Sequence, residues 1–353
     1  MADWKLFEIN RDAWLSMLSD CARAKKSIVL EQFIFVNDEF GQKLINVCAE
    51  RAKEGVIVRF LWDAAGSFTF WGSGIVENLA KKGIELVFWK TLIPGYYKVP
   101  DYRSWYLRNH RRTLVIDNEI GYTGSICVEN DKKNWRDTNV RMTGPVVLEM
   151  TSAFERMWAR AKRIRKLPRR RHAHDPEFRY LTNFPSPGRR HIYAAVVDAI
   201  RQATSYVYIT TPYFVPTRRL LLAIKGASER GCEVRLIVPE RSDYYVVDLG
   251  ARAFFNTLFQ SGVKIFLYTG NMIHCKSVIV DGVWATVGSM NMDSVSLLYN
   301  FEANIITTNA KFIGELKRHF AHDLEEARQV IASEWYKRFF LEKIPEKLIR
   351  LVT

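Results

Sequence analysis

Apolar positions along this chain follow two rhythms in turn, and the whole alternation occurs twice. Ser27-Ile28-Val29-Leu30-Glu31-Gln32-Phe33-Ile34-Phe35 is a strand-like run. It gives way to Leu44, Val47, Cys48 and Ala52 at helical spacing, and the helix stops at Gly55. A buried strand, Val56 to Leu61, follows, then a further helix and the strand Gly83 to Phe88. The same order returns from Tyr206-Val207-Tyr208-Ile209 through Gly231, Glu233 to Val238, and Gly262 to Leu267. Strand-helix-strand alternation predicts α/β units with crossover helices. Two such halves are expected to pack side by side.

Each half then reaches a predicted β-hairpin. In the second, the apolar runs of His274-Cys275-Lys276-Ser277-Val278-Ile279-Val280 and Val283-Trp284-Ala285-Thr286-Val287 flank Asp281-Gly282, a strong hairpin signal. Side chains on a strand alternate faces, so His274 and Lys276 share one face, as do Ser289 and Asn291. An imidazole, an ammonium, a hydroxyl and an amide together suit a phosphate. The first hairpin runs from His110-Arg111-Arg112-Thr113 through Asp117 to Gly124-Ser125. His110 to His274, Asp117 to Asp281 and Gly124 to Gly288 are each 164 positions apart.

This pattern resembles the paired His-x-Lys-x4-Asp-x6-Gly-Ser motifs of the phospholipase D superfamily. The second copy matches in full, Asn291 included. The first has Arg112 at the lysine and Cys127 at the asparagine. From about Ser27 to His322 the chain is similar to bacterial cardiolipin synthases, notably at Asn109-His110-Arg111-Arg112, Arg141-Met142-Thr143-Gly144-Pro145, Ser242 to Arg252 and Asn300-Phe301-Glu302. The resemblance implies two pseudo-twofold-related α/β sandwich repeats, with mixed sheets flanked by helices and the active site at their interface. It implies a phosphatidyl transfer, typically of two phosphatidylglycerols to cardiolipin and glycerol, through a phosphohistidine on His110 or His274. Arg112 and Lys276 are expected to neutralise the phosphoryl oxygens, with Ser125, Ser289 and Asn291 adding neutral hydrogen bonds. An acidic residue orients the histidine in this superfamily, a role carried here onto Glu302 and Asp137. Asp117 and Asp281 belong to the motif by type, although their turn positions point to bonding the hairpin backbone. Since the protein supplies the cations, neither a metal nor a cofactor is expected.

Composition narrows the partner. The 353 residues carry a net charge of +14, which favours an anionic partner, acidic lipid or nucleic acid. The basic run Arg160 to Arg171 lacks interleaved aromatics, the usual stacking platform for bases, so nucleic acid is not expected. Five scattered cysteines look like reduced thiols, and no cluster has metal-ligand spacing. There is no apolar run long enough for a transmembrane helix and no signal-peptide core at Met1 to Lys5. The expectation is a cytoplasmic protein held peripherally on the inner face of the membrane.

The predicted organisation is a first repeat at 1–165, a basic linker at 166–190, a second repeat at 191–330 and an amphipathic basic C-terminal helix at 331–353. An extra segment of the first half, Ile93 to Tyr106, mixes aromatics with cations and suits a lid, a membrane contact or a packed loop. The C-terminal segment, with Trp335, Phe339 and Phe340, fits either an interfacial helix or a helix docked on the core. Two other readings stay open: a phosphodiesterase or nuclease using water on the same site, and a catalytically impaired membrane-binding homologue in which Arg112 has disabled the first motif.

Overall fold

The computed structural model describes residues 2–70, 73–89, 107–166 and 175–338. The first half contains β1 (Trp4–Ile9), α1 (Asn10–Ala22), β2 (Ser27–Gln32), α2 (Glu39–Lys53), β3 (Ile57–Asp63), α3 (Ile75–Lys81), β4 (Ile84–Trp89), β5 (Thr113–Ile116), β6 (Ile120–Gly124), β7 (Arg136–Thr143) and α4 (Val146–Ala161). The second opens with β8 (Phe178–Asn183), α5 (His191–Gln202), β9 (Tyr206–Thr210), β10 (Phe214–Val215), α6 (Arg218–Glu229), β11 (Glu233–Pro239), α7 (Tyr245–Gln260) and β12 (Lys264–Tyr268). It continues with β13 (Ser277–Val280), β14 (Trp284–Gly288), β15 (Met292–Asp293), α8 (Ser294–Leu298), β16 (Glu302–Thr307), α9 (Ala310–Glu325), β17 (Ala327–Gln329) and α10 (Ala332–Tyr336).

The repeat read in the sequence is a repeat of topology. One sheet has the order β1-β7-β6-β5-β2-β3-β4, the other β17-β12-β11-β9-β13-β14-β16-β8. Read from β4 and from β12, the two orders correspond strand for strand. In each, three parallel strands joined by crossover helices abut an antiparallel set containing the motif hairpin. Strand β17 on β12 has no counterpart among the described residues of the first half.

One face of the first sheet packs on α1 and α2 through residues such as Trp14, Leu44 and Phe60. One face of the second packs on α5, α6 and α7 through Val196, Ile224 and Phe255. The two remaining faces meet each other. Val115 and Met142 join Ile279 and Val287 in one core with α4 (Phe154) and α9 (Phe312). Strands buried on both faces explain why β5 and β13 are continuous apolar runs and not alternating ones.

One expectation is corrected and one open alternative is decided. The segment 166–190 is not a linker throughout: residues 178–183 form β8, which pairs antiparallel with β16 at the sheet edge, and Phe178 and Tyr180 are buried in the inter-sheet core. Of the two readings left open for the C-terminal segment, Trp335 takes the docked one: it is buried against Phe255, with ring centroids 5.0 Å apart. An indole with a large apolar ring beside it loses more water-exposed area by docking there than by facing solvent. The remainder of the C-terminal segment and the Ile93 to Tyr106 segment lie outside the described residues.

Candidate active site

The hairpin turns are built alike. Asp117 and Asn118 in the first, and Asp281 and Gly282 in the second, have positive φ at both central positions, the conformation of the tight hairpin turns that match strand twist. Asp117 accepts hydrogen bonds from the backbone N–H groups of Lys25, Lys26 and Ser27. Asp281 accepts them from Thr204, Ser205 and Tyr206. Each aspartate thus clamps the start of the neighbouring strand, β2 or β9. Each lies seven positions along an extended chain from its motif histidine, roughly 20 Å away. Asp117 and Asp281, motif members by type, therefore act on backbone, the part their turn positions pointed to, and not at the histidines.

At the other end of the hairpins the two halves exchange backbone hydrogen bonds. His110 N–H donates to Phe301 O at 3.0 Å, and His274 N–H donates to Arg136 O at 2.7 Å. Arg136 and Phe301 each immediately precede an acid, Asp137 or Glu302, so each histidine is brought to the carboxylate of the opposite half. His110 Nδ1 is 2.9 Å from Glu302 Oε1, and His274 Nδ1 is 3.2 Å from Asp137 Oδ2. All four residues are buried.

The serines serve these carboxylates. Ser125 Oγ donates to Asp137 and Ser289 Oγ to Glu302. Each hydroxyl has one proton to give, and here it goes to the neighbouring acid, where the expectation had it given to phosphate. The glycine before each serine permits this arrangement. A Cβ on Gly124 would lie 2.2 Å from Asn139 Oδ1, and one on Gly288 would lie 2.4 Å from Ala303 O. Only glycine lets the next strand come this close. Asn139 then accepts from the backbone N–H of Ser125 and of Ile126.

The motif cations sit beside the imidazoles. Lys276 Nζ donates to His274 O at 2.7 Å, and Arg112 Nη1 donates to His110 O at 3.0 Å. Arg112 reaches further: Nη2 is 3.1 Å from His110 Nε2 and 3.8 Å from Cys127 Sγ. The two departures of the first motif are therefore one local change, a longer cation whose end rests on a smaller neighbour. In the second motif Asn291 donates to Ser296 Oγ at 3.3 Å, and its Oδ1 has no partner.

Burial is the largest influence on the titration of the site. It drives His110 well below the ordinary imidazole range, reinforced by the charges of Arg112, Lys276 and His274. His274 is pushed down to about 4 by burial and Lys276, with Asp137 pulling the other way. Burial takes Lys276 down to about 7 despite Asp137. Glu302 is pushed well up by burial. Asp137, equally buried, is nevertheless held low because the His274 hydrogen bond, the Lys276 charge and Ser125 outweigh desolvation. The two acids thus shift in opposite directions, Glu302 up and Asp137 down.

Sequence reasoning missed several neighbours. Asp63, at the end of β3, accepts from Arg108 Nε at 3.0 Å and from Asn109 N–H at 2.8 Å, which holds the chain entering His110. Phe33 packs edge-on to His110 at 4.8 Å, while Trp135 and Tyr213 lie 5.3 and 6.4 Å from the His274 ring. The Trp-Asp ending β3 and the Thr-Pro-Tyr-Phe following β9 were visible, but nothing local to them pointed at a histidine more than forty positions away.

A family model described as cardiolipin synthase, PLD-like domain, matches residues 17–158 and 196–324. The chain belongs to the cardiolipin synthase family of phospholipase D-like proteins. It is 31% identical to a cardiolipin synthase of Halalkalibacterium halodurans over 94% of this chain and 67% of that protein. It is 29% identical to the probable cardiolipin synthase YwiE of Bacillus subtilis over 98% of this chain and 71% of that one. In fold it is similar to a phosphatidylserine synthase of Haemophilus influenzae, with a TM-score of 0.77 at 15% identity, covering 99% of this chain and 92% of that one. As a member of this family it is a phosphatidyltransferase of cardiolipin-synthase type. No described helix is long and apolar enough to cross a membrane.

Proposed function

We propose that this cardiolipin-synthase-type enzyme joins two phosphatidylglycerols into cardiolipin and glycerol, with His110 as nucleophile and His274 as proton carrier. The observation that carries the reading is the pair of buried imidazoles at the interface of the halves. Each is oriented through Nδ1 by a carboxylate, and each has a motif cation beside it.

A phosphodiester repels nucleophiles because its oxygens are already negative. Arg112 and Lys276 supply the compensating charge. The Arg112 guanidinium facing His110 Nε2 favours a lone pair there, with the proton on Nδ1 towards Glu302. His110 Nε2 attacks phosphorus as the bond from phosphorus to the headgroup glycerol oxygen breaks. Anionic substrate offsets the cationic field that depresses His274, so His274 binds a proton in the complex and gives it to the departing oxygen. Glycerol leaves. The hydroxyl of a second phosphatidylglycerol then gives its proton to His274 while its oxygen bonds phosphorus and the P–N bond opens.

The same reading places the site at a membrane surface. Tyr244, Tyr245 and Val246, at the start of α7, are 58%, 67% and 66% exposed. Tyr244 meets Tyr213 at 5.9 Å, and Tyr213 meets His274. Exposed tyrosines beside a valine suit the headgroup boundary, and the net charge of +14 supports attraction to anionic lipid.

Mass spectrometry of the products formed from phosphatidylglycerol vesicles tests the reaction. Cardiolipin and free glycerol in equal amounts are expected, with added glycerol driving the reaction back. Phosphatidic acid as the only product would place the enzyme among hydrolases.

A further inference from the structure

Next to His110 along the chain, at Arg111, lies a second basic site that the mechanism does not use. A cavity of about 70 Å³ opens between α4, β8 and the start of α5. Arg111, Arg156 and Arg189 line it, with Phe184 at its wall. Arg111 is only 1% exposed, yet its Nε and Nη2 have no hydrogen-bond partner, and Glu31 is 3.9 Å from its Nη1. Guanidinium donors buried without acceptors are costly, and native structures rarely leave them so.

Arginines predominate around it. Three guanidiniums gather round the Phe184 ring: Arg189 at 4.4 Å, Arg160 at 4.5 Å and Arg111 at 5.3 Å from its centroid. The lining carboxylate, Glu149, already accepts from Arg179 Nε and from Tyr180 N–H. Arg160 is pushed down to about 10 by burial and by Arg156, Arg111 and Arg189. Clustered like charges of this kind are destabilising unless an anion joins them.

We propose that this cavity is a binding site for a phosphate group, held by Arg111 from the interior and by Arg156 and Arg189 from the rim, and separate from the catalytic cleft. Forked guanidiniums match phosphate oxygens bidentately. One water needs roughly 10–15 Å³ of such space, so the cavity takes a group with four oxygens. The phosphate comes either from a lipid headgroup or from free phosphate. Arg111 adjoins His110, and its guanidinium is 6.0 Å from the ring of Phe301, which adjoins Glu302, so an occupant is coupled to the catalytic pair by a single residue on each side.

The test is calorimetric titration of the purified full chain with inorganic phosphate, alongside crystals soaked in tungstate as a heavy phosphate analogue. An anomalous peak at Arg111 is expected. The double variant Arg156→Gln/Arg189→Gln should lose that peak and weaken the matching component of the isotherm at least tenfold. Its circular dichroism and thermal melt should match wild type, which shows that it folds. Arg156→Lys/Arg189→Lys should keep part of the binding. Phosphatidylglycerol vesicles are then added to wild type. Displacement of the component that the substitutions remove assigns the site to headgroups, and persistence assigns it to free phosphate. No oxyanion at Arg111, or identical isotherms for wild type and the glutamine variant, overturns the proposal.

Discussion

Glu302 lies 192 positions after His110, yet its Oε1 is 2.9 Å from His110 Nδ1. The reciprocal contact joins His274 to Asp137. The site is therefore completed only when the two halves dock, and each half holds the other's imidazole. Nearby, Ser125 and Ser289 fix the two carboxylates, so the chain of orientation runs from hydroxyl to acid to imidazole on both sides.

Removing the charge of either acid while keeping its shape should cost turnover and spare the fold. Glu302→Gln and Asp137→Asn are each expected to lower kcat about 10²–10⁴-fold, the usual range for misdirected acid–base catalysis. Circular dichroism and vesicle binding should match wild type. Unchanged kcat in Glu302→Gln would remove the orienting part assigned to the acid.

Arg112 and Cys127 should behave as one unit because they touch. Arg112→Ala is expected to cost about 3 kcal/mol in the barrier, the loss of one electrostatic donor at a phosphoryl group. Arg112→Lys should keep measurable activity. The double variant Arg112→Lys/Cys127→Asn, which gives the first motif the composition of the second, should be more active than Arg112→Lys alone. A double variant no better than the single one would mean the two departures are unconnected.

His110→Ala and His274→Ala should each abolish transfer, with the double variant little worse, because groups acting as a unit are non-additive. Acid-labile radiolabel from phosphatidylglycerol should be found on wild type quenched during turnover and be absent from His110→Ala. Label on the protein lacking His110 would exchange the two assignments.

The buried histidine gives stability a definite pH dependence. His274 sits at about 4 in the folded protein and near 6.5 in the unfolded chain. Between those values the unfolded state binds more protons, so stability falls as pH drops through this window. Lys276, at about 7 folded and about 10.4 unfolded, has the same sign at higher pH: its contribution rises from neutral towards pH 10. Thermal melts should therefore show His274→Gln losing less stability than wild type between pH 6.5 and 4. Parallel curves would show that burial of this imidazole carries no linkage.

Tyr244 and Tyr245 are exposed beside the aromatic wall of His274. Replacing both with serine should weaken binding to phosphatidylglycerol vesicles at high salt, where charge attraction is screened. Activity on lipid dispersed in detergent should be retained. Sedimentation that is the same for variant and wild type at every salt concentration would move the membrane contact elsewhere.

The elements, their doubling and the turns could be read from the chain itself, because helix stops, apolar runs and Asp-Gly pairs act through neighbours a few residues apart. The 164-residue register located both histidine–cation pairs for the same reason. What docking decided involves residues with no local signal of each other. Strand alternation says which side chains share a face but not which partner that face will meet. So the crossed acids, the serines spent on carboxylates and the two unmet donors of Arg111 were settled only when two sheets buried their inner faces together, and the place of Trp335 only when α10 docked on α7. There a polar group takes whichever partner tertiary packing brings within about 3 Å, and the loss of water makes that choice costly to refuse.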